Sequence, residues 1–536
     1  MMFLTISLLK NQYITRMKTL AILAGMLIIS CSSFAQTFEV DGISYNVSSA
    51  VEPFTVQVMP IAAPGYVGDI VVPAQVTHND TIFSVTAIAD YAFANNDQLS
   101  TLDFQCPIVF LSFKTFRESE NLTLIKFPAT LAVIEPCAFW GCISLEEIVI
   151  HPDNLNFVSV DGVFYNKTMT KLYKYPPARI DDDYEIPATV DSIRAYAFNY
   201  CNGLDSLVIP DHVSVVGEYS FSNTRNLKYL DLGNGIPFFA QAMIYGSQDL
   251  LTIRLGDSFS TIQGYDFNTC PKLMNIYVTE TNSHLKDIDG VLYSKDGSVL
   301  FRYPGAREDY NIPYGVNSIG RSAFDECRNL KSVNIPGSIV TINSGAFRDC
   351  DSLKSIEIPN SVRDIYGSAF KSCDLLESAS IGNGLDSIGN SIFSECDSLR
   401  SVWFCSGIPP KYSGTNLGGA IDTIYVISGS VEVYQQDAFW GQYIVSGVEN
   451  CSVQYIEPSN QVTTSVYPNP ADSKITIYVS DKRDAIFKIY NLTGQCMLSQ
   501  LIQNEYTMNV EWLNAGLYIY IVEQNNKTYS GKLLKN

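Results

Sequence analysis

The residues with the greatest chemical potential in this chain are its thirteen cysteines and four histidines. A zinc site needs four ligands that converge on one point. The sequence has no Cys-x-x-Cys pair, and its histidines are scattered over positions 78, 151, 212 and 284. We therefore expect neither a metal nor a cofactor. Cysteines in an exported protein usually form disulfides, so their spacing decides between the remaining interpretations.

Recognisable catalytic motifs are also absent from the sequence. There is no Gly-x-Ser-x-Gly, no His-Glu-x-x-His and no Cys/His pair in a known arrangement. The carboxylates of Asp181, Asp182 and Asp183 could in principle do acid–base chemistry. Such a run is more often a solvated turn, and it lacks the alternating ligands of an EF-hand loop. The sequence therefore predicts a protein that is not an enzyme.

The net charge of the chain limits the classes of partner that it can bind. It carries 35 basic and 55 acidic residues, a formal net charge of −20, and no basic cluster. An acidic surface repels phosphate backbones and anionic lipid, so nucleic acid is not an expected partner.

The N-terminus has the pattern of a secretory signal peptide. Read from Met17, a lysine precedes an apolar stretch, and small residues then favour cleavage between Ala35 and Gln36. Residues 1–35 thus form the predicted signal, which is too short and wrongly flanked for a spanning helix. The alternative is a lipoprotein signal that ends before Cys31.

A regular repeat places most of the cysteines. Phenylalanine recurs at a constant interval, with Ile244 in one place and two longer steps, at Phe93, Phe116, Phe139, Phe198, Phe221, Phe267, Phe324, Phe347, Phe370 and Phe393. Within one unit, Ile356 and Ile358 before Pro359 predict a short strand, and Gly-Ala-Phe predicts a tight or short helical turn. A single unit cannot bury its apolar face, whereas stacked units can. The sequence therefore predicts a solenoid with a continuous core.

Seven cysteines hold one position of this repeat, the third after the column phenylalanine. They are Cys142, Cys201, Cys270, Cys327, Cys350, Cys373 and Cys396. We favour a ladder of buried thiols that pack as small apolar side chains. An occasional disulfide between neighbouring turns remains open, because stacking brings the Cα atoms near disulfide range.

The two longer steps, from Phe139 to Phe198 and from Phe267 to Phe324, contain insertions that resemble each other. Each insertion includes Asp-Gly-Val-Phe/Leu-Tyr, at Asp161 and at Asp289, and reads as a β-hairpin. The aromatic residues of these hairpins are our candidates for ligand contact, although the favoured interpretation is that they only pack. The candidates are Tyr165, Tyr173, Tyr175, Tyr293, Phe301 and Tyr303.

The repeat unit Ile-x-x-x-Ala-Phe-x-x-Cys-x-x-Leu-x-x-Ile-x-Ile-Pro and the Asp-Gly-Val-Leu-Tyr hairpin resemble the BspA-type leucine-rich repeats of bacterial surface proteins. The resemblance extends from about Phe38 to Ile456 and includes an end cap with Trp440. It implies a β-rich right-handed solenoid and adhesion to host matrix proteins or other cells. The family shares no catalytic residues, so none is transferred to this chain.

The C-terminal segment differs in pattern from the repeats. Short alternating strands separated by turn signals predict a small all-β sandwich of Ig-like type after a polar linker at residues 457–465. The segment resembles the C-terminal sorting domain of type IX secretion. The matching residues are Pro468, Asn469, Pro470, Gly494, Gly516, Tyr518, Lys532 and Lys535. The resemblance implies export across the outer membrane, contact with the secretion machinery, removal of the domain and attachment to surface lipopolysaccharide.

These observations predict a β-rich leucine-rich-repeat solenoid with short strands, short helical turns and two hairpin insertions, followed by the sandwich. The predicted boundaries are 1–35 signal peptide, 36–85 N-terminal cap, 86–404 solenoid, 405–456 C-terminal cap, 457–465 linker and 466–536 sorting domain. The predicted function is that of a surface adhesin for an extracellular protein or glycan. The alternative is a structural surface protein without a specific ligand.

Overall fold

The computed structural model describes most of the solenoid and much of the C-terminal domain. The described residues are 37–180, 184–262, 266–449, 464–467, 471, 473–479, 484–491, 495–503, 505–524 and 527–535. The predicted signal peptide with its cleavage site at Ala35 and Gln36, most of the linker, and Asp181–Asp183 lie outside these residues.

An N-terminal cap begins the described fold, and it merges with the first repeats. Its strands are β1 (Thr37–Val40), β2 (Ile43–Ser49), β3 (Thr55–Val58), β4 (Val67–Val72), β5 (Gln75–His78) and β6 (Thr81–Ile88). Five of them form one sheet in the order β1-β2-β3-β6-β5. The remaining strand, β4, instead pairs in parallel with the first repeat strand. The solenoid sheet thus begins before residue 86, and the predicted boundary falls within β6.

Most repeat turns contribute a longer strand to a main parallel sheet, which is divided into four sections, and a two-residue strand to a second sheet. In two of the middle turns the second contribution is only a bridge between Phe238 and Thr261. The strands up to the second insertion are β7 (Gln98–Phe104), β8 (Phe110–Leu111), β9 (Leu124–Phe127), β10 (Val133–Ile134), β11 (Glu147–Ile150), then β12 (Phe157–Val160), β13 (Val163–Asn166) and β14 (Lys171–Lys174) of the first insertion, then β15 (Ser192–Ile193), β16 (Ser206–Val208), β17 (Val215–Val216), β18 (Tyr229–Asp231), β19 (Thr252–Leu255) and β20 (Asn275–Val278). Partners in neighbouring turns are equivalent positions of successive repeats, as in Glu147 opposite Leu124. The predicted period is therefore the physical period of the coil.

The second insertion and the last turns continue this pattern. Their strands are β21 (Leu285–Ile288), β22 (Val291–Ser294), β23 (Val299–Arg302), β24 (Asp309–Asn311), β25 (Ser318–Ile319), β26 (Ser332–Asn334), β27 (Thr341–Ile342), β28 (Ser355–Ile358), β29 (Asp364–Ile365), β30 (Ser378–Ile381), β31 (Ser387–Ile388), β32 (Ser401–Phe404), β33 (Lys411–Tyr412) and β34 (Thr423–Ile427). The second sheet runs unbroken here, in the order β21-β22-β23-β25-β27-β29-β31-β33.

The segments around the column phenylalanines form the third side of the coil, and they are turns. They match the predicted tight or short helical turns, because Ala346 N donates to Asn343 O at 3.1 Å. The residue two positions after the phenylalanine adopts a left-handed conformation, with φ of 56° at Glu118 and 55° at Asp349, which prevents a longer helix. Other backbone bonds link successive turns, since Phe347 N donates to Ala369 O at 2.7 Å.

Apolar side chains fill the space between the three sides. The rings of Phe324, Phe347 and Phe370 are fully buried and stack at centroid distances of 4.7 Å and 5.1 Å. The core consists of three clusters that meet at the insertions, so the predicted single continuous core is divided. The cause is β13, whose successive side chains point to opposite sides. Phe164 joins the first cluster, and Val163 and Tyr165 join the second.

The C-terminal cap closes the core with a short helix and two 3-10 turns. The elements are a 3-10 turn at Ser428–Ser430, α1 (Val431–Gln436), a 3-10 turn at Trp440–Gln442 and β35 (Ile444–Val448). Trp440 is 1% exposed, packs on Phe404 at 4.7 Å and donates its indole N–H to Pro410 O at 3.0 Å. Because β34 and β35 extend the main sheet, the predicted cap continues the coil past residue 404.

The C-terminal domain is all-β and consists of two antiparallel sheets over one core. Its strands are β36 (Thr464–Tyr467), β37 (Lys474–Val479), β38 (Ala485–Tyr490), β39 (Cys496–Ile502), β40 (Glu505–Asn509), β41 (Gly516–Gln524) and β42 (Lys527–Lys535). The sheet orders are β36-β37-β40 and β39-β38-β41-β42. Ile477 of one sheet and Phe487 of the other belong to a shared apolar cluster. The all-β prediction is confirmed, whereas the Ig-like arrangement stays a prediction.

Candidate recognition surfaces

Four of the six aromatic residues predicted to contact a ligand lie in the core. Tyr165, Tyr175, Tyr293 and Tyr303 are between 0% and 2% exposed. A ligand in solution cannot reach side chains at this depth, so we correct their role to packing. The reason is that β13 and β22 are covered on both faces. The Tyr165 hydroxyl is bonded to that of Tyr184 at 2.8 Å, and Tyr293 makes the same pair with Tyr310.

The other two predicted aromatic residues are partly exposed. Tyr173 packs against Phe157 and Phe164 with centroid distances of 5.2 Å, and the guanidinium of Arg194 lies 5.4 Å from its ring. Phe301 packs against the middle core cluster. Their role in ligand contact stays a prediction.

Each insertion also contains a buried cation that the sequence analysis missed. Lys174 is 2% exposed, and its Nζ donates to the carbonyls of Tyr196 and Asn199 at 3.1 Å and 2.9 Å. Burial lowers the pKa of its ammonium group. Arg302 holds the matching position in the second insertion and donates to Ser322 O at 3.0 Å. The repeated Tyr-Lys and Phe-Arg pairs were the available signal, and both buried cations have their hydrogen-bond acceptors among turn carbonyls.

The hairpin of the second insertion is fixed by a second arginine and a buried carboxylate. Arg307 donates to Met274 O, Asn275 Oδ1 and Asp289 O at 2.7 to 2.9 Å. Asp287 accepts from Val278 N at 2.8 Å, and burial raises the pKa of its carboxyl to about 6. In the first insertion Ser159 holds the same place and accepts from Ile150 N at 3.1 Å. These groups stabilise the insertions.

The column cysteines are hydrogen-bond donors to the preceding turn. All seven are free and buried, and the Sγ of Cys373 and Cys396 lie 3.1 Å and 2.9 Å from the carbonyls of Phe347 and Phe370. Ser247 occupies the same position and bonds Phe221 O at 2.9 Å. Burial raises the pKa of Cys142 to about 12, which suppresses its nucleophilic form. Cys405, in the C-terminal cap, is disulfide-bonded.

In the described part of the chain, no three His, Cys, Asp or Glu side chains come together in an arrangement that would hold a metal ion. None of its helices combines the length and the apolar character that crossing a bilayer requires.

One outward column of the main sheet changes in chemical character from turn to turn, whereas the other outward column and the inward columns do not. In β28, β30, β32 and β34 the inward residues are apolar and buried throughout. The outward positions form one column of Ser355, Ser378, Ser401 and Thr423 and another of Glu357, Ser380, Trp403 and Tyr425. The rings of Trp403 and Tyr425 stack at 5.0 Å with an interplanar angle of 15°. This pair is half-buried on an otherwise polar face.

A cleft of about 420 Å³ opens on the turn side of the solenoid beside the first insertion. Glu118, Glu120 and Gly141 lie on one wall, and Tyr200, Asn202 and Arg225 lie on the other. These walls belong to repeat turns that are adjacent to the insertion but separated by it in sequence. The sequence analysis did not find this feature, because no local pattern joins the two walls.

The sorting-domain residues that can be described lie in the terminal sheet. Gly516 begins β41, and Tyr518 is 8% exposed and donates to Asn514 O at 3.0 Å. Lys532 pairs with Ile519 in β42, and Lys535 is 9% exposed and bridges to Ala471. The remaining predicted positions, Pro468, Asn469, Pro470 and Gly494, lie outside the described residues.

Comparison with known proteins places these features in two families. The profile of the BspA type leucine rich repeat region matches residues 76–177, 182–289 and 297–412, more than half of the chain. The profile of the secretion system C-terminal sorting domain matches residues 465–536. No curated protein matches the sequence significantly.

Similar solved structures are bacterial leucine-rich-repeat proteins. A leucine rich cell surface protein of Faecalibacterium prausnitzii is 24% identical, with a TM-score of 0.45 over 78% of this chain and 97% of that one. A leucine-rich repeat protein of Eubacterium ventriosum is 18% identical, with a TM-score of 0.37 over 62% and 94%. One from Bacteroides ovatus is 18% identical, with a TM-score of 0.34 over 70% and 99%.

Repeat scaffolds of this type are typically non-enzymatic. The sorting domain implies interaction with the type IX secretion machinery and marks export to the cell surface or the extracellular space. The chain therefore belongs to the BspA-type leucine-rich-repeat proteins and ends in a type IX sorting domain.

Proposed function

We propose that this protein is a surface adhesin that binds an extracellular protein or glycan through the outward face of its main sheet. The observation that carries the proposal is the contrast between the two faces of that sheet. The inward columns are apolar throughout, whereas one outward column changes from Glu357 and Ser380 to the stacked pair of Trp403 and Tyr425.

Partly exposed aromatic pairs on a rigid polar surface suit recognition. Tryptophan and tyrosine bring large contact areas with few rotatable bonds, and such residues dominate binding energy at interfaces. The parallel strands hold neighbouring side chains about 4.8 Å apart, so a ligand can span several turns. The sorting domain supports a location where such a ligand is met. Removal of that domain and attachment to lipopolysaccharide belong to the same proposal.

A purely structural surface role is the second candidate. It would use the edges of the coil for polymerisation. The buried Trp440 and the helix beside it cover the core at one end, and the cap sheet of β1, β2, β3, β5 and β6 lies at the other. These caps favour a discrete recognition protein over an open polymer.

The test is a binding screen of the purified protein against immobilised matrix proteins, mucins and bacterial-surface glycans. We expect saturable binding to one ligand that weakens at least tenfold in the double variant Trp403→Ala/Tyr425→Ala. Tyr366→Ala is the matched control, because it removes an aromatic ring that is 51% exposed and follows a strand of the second sheet. If no ligand binds to folded protein, or if control and double variant weaken equally, the main-sheet proposal is wrong.

A further inference from the structure

The cleft beside the first insertion arises from the way the insertion rejoins the coil. Residues 175–178 run between the two walls, where Ala178 N donates to Leu145 O at 2.9 Å and Pro177 O accepts from Asn202 N at 3.0 Å. This segment carries only the small side chains of two prolines and an alanine after Tyr175. No long side chain of this segment therefore fills the space between the walls.

Gly141 adds no side chain to the first wall. Its φ is +83°, and a Cβ there would lie 3.0 Å from the backbone of Glu118. At the second insertion the equivalent residue is Thr269, and the equivalent of Tyr200 is Glu326. There the two sides are tied directly, because Thr269 N donates to Glu326 Oε2 at 3.1 Å and Asn268 Nδ2 donates to Asp325 Oδ2 at 3.1 Å. The same scaffold is thus open at one insertion and bridged at the other.

Both walls are rigidly positioned before any ligand arrives. Glu118 and Tyr200 hold left-handed conformations with φ of 56° and 63°. Their backbone amides donate to Trp140 O at 2.7 Å and to Ser222 O at 3.1 Å in the next turns. Because the backbone of both walls is held by such bonds, it loses little freedom on binding, which favours affinity.

The polar groups of the cleft are of mixed kind and have spare bonding capacity. Within the described residues, the carboxylates of Asp97 and Glu120 and the guanidinium of Arg225 form neither a side-chain hydrogen bond nor an ion pair, and all three line the cleft. Tyr200 is half-buried, and its ring lies 6.5 Å from that of Trp140, which Arg117 covers at 4.6 Å. The site thus offers strong acceptors, donors and one aromatic surface.

This combination selects among ligand classes. The carboxylates of Asp97, Glu118 and Glu120 disfavour an anion. Their attraction for a cation is partly offset by Arg225 and by Arg117, which is 3.1 Å from Glu118. An apolar ligand would leave these polar groups unpaired. A ring with several hydroxyls donates to carboxylates, accepts from guanidinium and amide groups, and lays its C–H face on an aromatic ring. The volume of the cleft lies within the usual range for small-ligand sites.

We propose that this cleft, formed by Glu118, Glu120, Tyr200, Asn202 and Arg225, is a binding site for an uncharged saccharide. The inference rests on the proposed recognition function and gives it a second surface, on the turn side of the solenoid and away from Trp403 and Tyr425. Glu120 and Asp97 accept sugar hydroxyls, Arg225 and Asn202 donate to them, and Tyr200 packs on the ring.

The test uses the full secreted protein and immobilised glycans that end in mannose, galactose or N-acetylglucosamine. Sialylated glycans and a polylysine peptide serve as charged probes. We expect saturable binding to an uncharged glycan that weakens at least tenfold in Tyr200→Ala and in Glu120→Gln. Arg328→Ala is the control, because Arg328 holds the same repeat position as Arg225 beside the second insertion and is also exposed. Thermal unfolding of each variant verifies that the fold is retained.

The outcomes separate this inference from the proposed function. Equal glycan binding by wild type and Tyr200→Ala, or stronger binding to the charged probes, overturns the saccharide site. If only the Trp403→Ala/Tyr425→Ala variant loses ligand binding, the main-sheet function stands and the cleft proposal fails. If folded protein binds nothing in either assay, both fail. Loss in Tyr200→Ala and Glu120→Gln with retention in Arg328→Ala supports the site.

Discussion

Replacing Asp287 by serine should raise the free energy of unfolding, because it removes a pH-dependent destabilisation within the second insertion. The Asp287 carboxyl is buried, and its pKa rises from 3.8 to about 6 against the hydrogen bond from Val278 N, with the nearby Asp289 adding a further increase. Well above pH 6 the carboxyl is ionised in both the folded and the unfolded protein, so the fold carries the full cost of the buried charge. Well below pH 4 it is protonated in both, and the cost disappears.

The sign and size of the effect follow from this shift. Because the folded protein binds the extra proton between about pH 4 and 6, the free energy of unfolding falls as pH rises through that window. The rise of the pKa from 3.8 to about 6 corresponds to at most about 3 kcal/mol in the free energy of unfolding. Asp287→Ser removes the charge and keeps an acceptor, as Ser159 does in the first insertion. We expect the variant to gain up to that amount over wild type between pH 4 and 7.

The assay is denaturant unfolding of both proteins at several pH values. The difference between their free energies of unfolding is plotted against pH, so that the contributions of the other carboxylates cancel. Asp289 and Arg307 remain in both proteins, and the charges around the site are therefore matched. The reciprocal variant, Ser159→Asp, should introduce the same pH dependence into the first insertion. A difference that is flat or that favours wild type as pH rises would refute the assignment of a buried, destabilising charge.

Two further predictions concern the core and the thiols. Phe347→Ala should lower the free energy of unfolding by about 3 to 5 kcal/mol, because the ring is 0% exposed and stacks on two neighbours; Tyr366→Ala should change it by less than about 0.5 kcal/mol, and equal effects would contradict the column. Iodoacetamide at pH 8, with labelled sites mapped by mass spectrometry, should modify the exposed Cys496 quickly. It should modify Cys142 and Cys201 only after unfolding, because their pKa values of about 12 leave on the order of one thiolate in ten thousand; rapid labelling of either in folded protein would contradict the buried ladder.

The solenoid could be predicted from sequence because every turn repeats the same local pattern of apolar and turn residues. The alternation at Ile356 and Ile358 and the regular recurrence of the phenylalanine represented by Phe347 are sufficient to place strands, turns and core positions. The cysteine ladder followed for the same reason. Its hydrogen bonds to the preceding turn could not be predicted, because they depend on how closely two turns approach, as in the 2.9 Å contact of Cys396 Sγ with Phe370 O.

The candidate contacts were harder to predict, and the error has a physical origin. Tyr165 was a candidate for ligand contact because it lies in a predicted hairpin, whereas the run Val163-Phe164-Tyr165 is typical of a strand covered on both faces. The cleft could not be predicted, since its walls at Glu118 and Tyr200 come together only when the insertion has folded. Gly141, which holds a left-handed position, was the one local signal.

The two insertions offer an internal comparison that bears on where specificity resides. Both retain a buried asparagine, Asn154 or Asn282, that donates to two carbonyls of the preceding turn, and both retain the tyrosine pair and the buried cation. These shared groups build the hairpin and are therefore constrained by folding. The open cleft at Gly141 and Tyr200 has no such constraint, since the second insertion folds with Thr269 and Glu326 bridged in the same place. Because folding does not require this difference between the insertions, ligand binding can account for it. The first insertion is therefore the better place to look for a ligand site.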